Sequence, residues 1–203
     1  MDTYKKLLKN NRKWARQMEE LHPGFFKDLS GQQHPRFMWI GCADSRVPAN
    51  QIIGLDPGEV FVHRNVANIV LHADLNCLSA LQYSVDVLEV RHVIVCGHHN
   101  CGGVKAVMEG LRLGMVDNWL GHLHEVRLQN LDELLALPVS ERCDRLSELN
   151  VLKQVRNVCE STVLQDAWAR GQQVSVHGWI YSLEDGILRE ISEVQTGTEF
   201  QKR

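Results

Sequence analysis

No stretch of the 203 residues approaches the roughly 20 apolar residues of a bilayer span, so no transmembrane helix is expected. No block of Lys or Arg stands out and the formal net charge is only -3, which gives no reason to expect a nucleic-acid partner or a membrane surface. The N-terminus MDTYKKLLKNNRKWARQ carries basic residues but lacks the continuous apolar segment and small-residue cleavage site of a secretory signal, so a soluble, cytoplasmic protein is expected. Internal repeats, low-complexity tracts and Pro/Gly/Ser-rich linkers are also missing. A single domain over 1–203 follows, with an N-terminal helical arm over about 1–30; its 44% hydrophobic content suffices for one packed core.

Six cysteines are present, and in a reducing compartment they do not suggest a disulfide framework. Cys77, Cys96 and Cys159 stand inside apolar patterns and read as small buried hydrophobes, while Cys143 reads as a helix or loop residue without chemistry. Cys42 and Cys101 differ, because each lies in a polar, glycine-bearing turn.

Apolar and polar residues from 4 to 21 alternate at helical spacing, and HPGF at 22–25 interrupts them. Short β-rich runs follow at 37–41, 60–63, 92–97 and 174–181, with ILREIS as a possible edge strand. Helical patterns cover 74–90, about 103–113, 118–136 and 147–170, with Gly171 as the stop of the last. Strands separated by helices of this length require right-handed crossovers. The expected fold is therefore α/β, with a mainly parallel central β-sheet flanked by helices.

Two of the strands end in ligand-rich turns: GCADSR follows FMWI, and GHHNCGG follows HVIVC. Ligands collect at the carboxyl ends of strands in such sheets. Cys42 and Asp44, two apart in extended chain, face one side. His98 and Cys101, three apart as the chain enters a helix, do the same. Sulfur, oxygen, nitrogen and sulfur donors suit tetrahedral Zn2+. Arg46 beside Asp44 supplies a planar fork that can hold the carboxylate in two parallel hydrogen bonds, so Asp44 has two partners to choose between. With Asp44 on Arg46, the metal keeps an open position for water.

On these motifs the chain resembles the β-class carbonic anhydrases. CxDxR appears as Cys42, Asp44 and Arg46, and HxxC as His98 and Cys101 followed by Gly102 and Gly103; PGEVFVHRNVAN and LQYSVDVL are similar as well. The resemblance implies one Zn2+ per chain and reversible hydration of carbon dioxide to bicarbonate and a proton, gated by Asp44 moving between zinc and Arg46. Because two thiolates donate more charge than imidazoles, activity shifted toward alkaline pH is expected. The resemblance also implies a cleft lined by Gln33, Phe61, Val66 and Tyr83, and a homodimer or homotetramer. In one bacterial subgroup, the positions of Trp39, Arg64 and Tyr181 form a bicarbonate pocket away from zinc, which implies allosteric inhibition. Two other readings share the ligand set: hydrolysis of carbonyl sulfide or carbon disulfide, and a non-enzymatic module closed around structural zinc. GHHNCGG fits no nucleotide fingerprint, and neither Ser45 nor Cys101 has the base and orienter a nucleophile needs.

Overall fold

The computed structural model describes residues 3–197. The chain divides into two compact units, Met1–His34 and Pro35–Arg203. In the first, α1 (Thr3–Leu21) and α2 (Phe25–Gly31) are joined through Gly24, whose φ of 88° suits glycine. Within that unit Trp14 meets Phe26 edge to face at 5.6 Å.

Among the described residues the second unit is built on five strands: β1 (Phe37–Cys42), β2 (Val60–Asn65), β3 (His92–His98), β4 (Ser175–Tyr181) and β5 (Leu188–Glu190). Their spatial order is β2-β1-β3-β4-β5, with β4 and β5 antiparallel and every other pair parallel. β1 and β3 are buried almost throughout, which is why both read as unbroken apolar runs. The mainly parallel α/β sheet expected from the sequence is observed, with ILREIS contributing the antiparallel edge.

Helices α3 (Ala49–Ile53), α4 (Leu75–Gln82), α5 (Gly102–Glu109), α6 (Val116–Gln129), α7 (Leu131–Ala136), α8 (Val139–Glu160) and α9 (Thr162–Ala169) make up the rest. Met38, Ile40, Val93, Val95, Val176 and Ile180 on one side of the sheet join Leu81 of α4, Val155 of α8 and Leu164 of α9 in the main core. Trp39, Ile94 and Cys96 on the other side meet Ala49 of α3. Cys77, Cys96 and Cys159 are all buried, as small core residues.

Two long helical patterns prove to be broken. The 118–136 pattern divides at Asn130 into α6 and α7. The 147–170 pattern divides at Ser161, which is extended and whose hydroxyl accepts from Leu164 N at 3.4 Å as the cap of α9. The 74–90 helix stops short: Asp74 caps α4, and a π-helical turn over Tyr83–Val87 ends it. The short helix α2 falls within the expected N-terminal helical arm without being marked as a separate helix, and α3 has no counterpart in the sequence reading; neither is long enough to show a period. Among the described residues no helix is long and apolar enough to cross a membrane.

Candidate metal centre

From β1 the chain runs to β2 on one side, and from β2 to β3 on the other, so the connections diverge between β1 and β3. A crevice opens at such a switch point beyond the strand ends. Cys42 is the last residue of β1, His98 the last of β3, and Cys101 immediately precedes α5. Topology alone thus brings residues 56 positions apart to one place.

The ligand atoms of Cys42, His98 and Cys101 lie within 4.8 Å of one another, and all three residues are buried. The two Sγ atoms are 4.0 Å apart. His98 Nδ1 is 2.9 Å from the carbonyl oxygen of His99, the geometry of an Nδ1–H donor, which leaves Nε2 as the free ring nitrogen. That Nε2 is buried and has no hydrogen-bond partner. An orphaned imidazole nitrogen beside two sulfurs is the expense a protein avoids unless something binds there. Sulfurs about 2.3 Å from a tetrahedral zinc lie nearly as far apart as these two, so the donor set fits the ion.

The pair of thiols is electrostatically unequal. Cys42 is held well below the ordinary thiol range, first by the hydrogen bond from Cys101, against the opposing cost of burial, and then by His98 and the backbone N–H groups of Asp44 and Ala67. Cys101 is pushed up by the same hydrogen bond and by burial.

Asp44 is engaged by Arg46. Arg46 Nε donates to Oδ1 at 3.0 Å, its Nη2 to Oδ2 at 2.7 Å, and its backbone N–H to Oδ1 at 2.9 Å. These bonds hold the Asp44 carboxyl well below the usual carboxylate range. Oδ2 lies 3.8 Å from His98 Nε2, and Asp44 is not one of the three clustered ligands. Arg46 Nη2 also donates to Asn100 O at 3.1 Å, tying the two turns together.

The residues assigned to the cleft are distributed unevenly. The rings of Phe61 and Tyr83 lie with centroids 5.8 Å apart and planes tilted by 32°, and Tyr83 and Val66 are both exposed. Gly102 and Gly103 open α5; a Cβ on Gly103 would meet Val66 Cγ1 at 3.3 Å and Ala67 Cβ at 3.4 Å, so the loop after β2 packs closely on this helix. Gln33 follows α2 in the N-terminal unit and is exposed. Trp39 and Tyr181 belong to one apolar cluster, and Trp39 Nε1 is buried without a partner. Arg64 donates through Nε to Cys42 O at 2.8 Å and through Nη2 to Asp44 O, so its guanidinium grips the turn carrying the site.

Sequence reasoning missed the carboxamides of Asn150, Gln154 and Asn157, buried on α8 behind the loop after β2. Their spacing of four and three, among otherwise apolar positions, was a legible stripe on the inward helix face. His99 turns away from the cluster, with Nε2 3.3 Å from Glu148 Oε1.

The carbonic anhydrase family profile matches residues 37–188. A carbonic anhydrase of Emericella nidulans is 43% identical over 191 residues, covering 94% of this chain and 84% of its own length. Among solved structures, a Coccomyxa β-carbonic anhydrase in complex with acetazolamide superposes with a TM-score of 0.93 at 43% identity, covering 98% of this chain and 91% of its own. One of two tetrameric β-carbonic anhydrases from Sordaria macrospora superposes with a TM-score of 0.91 at 37% identity, covering 97% of this chain and 100% of its own.

Proposed function

The chain belongs to the β-class carbonic anhydrase family, and from that premise we propose that it hydrates carbon dioxide reversibly at a zinc ion held by Cys42, His98 and Cys101, gated by Asp44 exchanging between metal and Arg46. One observation carries this reading: two buried sulfurs and an unpartnered imidazole nitrogen converge at the sheet's switch point, beside a carboxylate held by arginine. When bound, zinc supplies the Lewis acidity that makes water a nucleophile near neutral pH.

The side chains do the remainder. His99 O accepts from His98 Nδ1 and so fixes the tautomer that presents Nε2. Arg46, by occupying both oxygens of Asp44, keeps the carboxylate from closing the fourth position. Ionised and oriented, Asp44 Oδ2 accepts a hydrogen bond from the attacking water and aims its lone pair. The neighbouring rings of Phe61 and Tyr83 offer an apolar wall to a small apolar gas. Stopped-flow hydration measured with metal content on the same sample, before and after chelation, tests the assignment. A rate that rises toward alkaline pH and disappears with the zinc is expected. A fully loaded protein without acceleration would refute it.

The finer subgroup reading places an inhibitory bicarbonate site at Trp39, Arg64 and Tyr181. Its support is the unpartnered Trp39 Nε1, together with the hold of Arg64 on the carbonyls of Cys42 and Asp44. An anion that drew the guanidinium away would free the turn and favour Asp44 on the metal, with a coupling of about 1–3 kcal/mol. Trp39→Phe and Tyr181→Phe should relieve bicarbonate inhibition; unchanged inhibition refutes the pocket. A homodimer or homotetramer is supported by the tetrameric relatives and by exposed Val62, Val66, Tyr83 and Met115. Sedimentation of a monomer would exclude it.

A further inference from the structure

We infer that Asn150 and Gln154 are positioning residues of the metal centre: from α8 they clamp the loop after β2 so that the N–H of Ala67 points at the sulfur of Cys42. The inference rests on the reading of Cys42, His98 and Cys101 as a zinc site.

The loop is unusual in its backbone. Ala67 and Asn68 both take left-handed φ, 61° and 46°, although neither is glycine. Side chains with a Cβ resist this region, and residues persist there only when their surroundings over-determine them. The surroundings here are specific. Asn150 Nδ2 donates to Ala67 O at 2.8 Å, and Asn150 Oδ1 accepts from Gln154 Nε2 at 2.8 Å. Gln154 Oε1 accepts from Val70 N at 2.9 Å and from Asn157 Nδ2 at 3.0 Å, while that same Nδ2 donates to Val70 O at 2.8 Å. Asn65 closes the loop on itself through Ile69, and Trp119 Nε1 donates to Val66 O at 2.8 Å.

Asn150 and Gln154 are each only 1% exposed. Burying two carboxamides costs the fold unless each polar atom is used, and here each named atom has its partner. What the chain of bonds achieves lies at its end: Ala67 N donates to Cys42 Sγ at 3.4 Å. A hydrogen bond to a thiolate spreads its charge and fixes its direction. Such partners of metal ligands typically matter by 10–100-fold in metal affinity. Neither carboxamide touches the cluster, so both act through the loop.

The test uses the full chain loaded with zinc, and separately with cobalt, whose thiolate charge-transfer bands report on the coordinating sulfurs, that of Cys42 among them. Asn150→Ala and Gln154→Leu are compared with Val158→Ala, a core truncation on the same helix whose side chain is fully buried in the main core. Zinc dissociation constants from chelator competition should rise about 10–100-fold in the two carboxamide variants, with shifted cobalt bands. In Val158→Ala both should match the parent while the melting temperature falls. Should either carboxamide variant fail to fold, Ala67→Gly is introduced with Asn150→Ala. Glycine takes the left-handed conformation without a clamp, so the pair should recover most of the zinc affinity. Carboxamide variants that match the parent in zinc affinity and cobalt spectrum overturn the clamp, as does a double variant that recovers nothing. A parent chain that binds neither metal overturns the zinc reading itself, and the clamp with it.

Discussion

Replacing Gly97 by Ala tests how tightly β3 must approach α8. A Cβ built on Gly97 falls 2.5 Å from Val151 Cγ2, 3.2 Å from Ile180 Cδ1 and 3.5 Å from Asn68 Oδ1. Carbon atoms in ordinary contact are about 3.5–4.0 Å apart, so about 1 Å must be opened. Neither apolar neighbour can swing clear: Val151 is β-branched on a helix, and it and Ile180 are essentially without exposure. The helix itself has to move. Overpacking of this kind costs about 1–3 kcal/mol, and at about 2–4 °C per kcal/mol for a chain of this length the melting temperature should fall by about 2–12 °C. The displacement also has a direction. Gly97 precedes His98 and Val151 follows Asn150, so the metal ligand and the clamp are disturbed together, and zinc affinity should fall with stability. Calorimetry at matched concentration and chelator competition measure the two effects. Gly121→Ala serves as control, since its Cβ would meet nothing within 4 Å and alanine is the better helix former. A Gly97→Ala protein with the parent's melting temperature and zinc affinity would refute the reasoning.

Cys42→Ser and His98→Ala should each lose most bound zinc, seen as a fall in metal per chain, whereas Arg46→Ala should retain zinc and lose carbon dioxide hydration. Burial pulls His63 and His92 below the ordinary histidine value of about 6.5. Their native forms therefore take up protons later than the unfolded chain, so their stabilisation is full above that value and is lost as pH falls through the depressed native value. Urea midpoints should drop between neutral and mildly acidic pH, and less steeply in His92→Asn; a parallel drop would refute the assignment. Burial raises the Cys96 thiol and pushes Cys77 up to about 12. In native protein, alkylation followed by peptide mass mapping should mark the half-buried Cys143 first and spare Cys77, Cys96 and Cys159.

The parts of this fold that were plain from the sequence share one physical property: a short-range signal sufficed. β1 and β3 are central parallel strands buried on both faces, so FMWIG and HVIVCG stand out as unbroken apolar runs. The turns that bring Cys42, His98 and Cys101 together were plain because they follow where those runs stop. The breaks at Asn130 and Ser161 were hidden because the apolar period continues across them, and only the Ser-Thr pair at 161–162 marks the new helix start. The π-helical turn at Tyr83–Val87 likewise leaves hydrophobic spacing intact. The hold of Asn150 on Ala67 spans 83 positions and depends on packing no local pattern encodes.

The adjacency of acid and base at Asp44 and Arg46 follows from charge. Two thiolates already balance a divalent ion, so a third anionic ligand would leave a net negative centre in a buried crevice. A guanidinium within reach gives Asp44 a cationic alternative, and Arg46 makes that alternative bidentate while remaining anchored to Asn100 O. Lysine at this position would keep the charge but lose the fork. Arg46→Lys should therefore hold Asp44 less firmly, let it reach the metal more often, and lower the hydration rate without lowering zinc content. Zinc analysis and stopped-flow on one preparation separate the two quantities. Loss of zinc in parallel with rate would mean that Arg46 secures the metal rather than the gate.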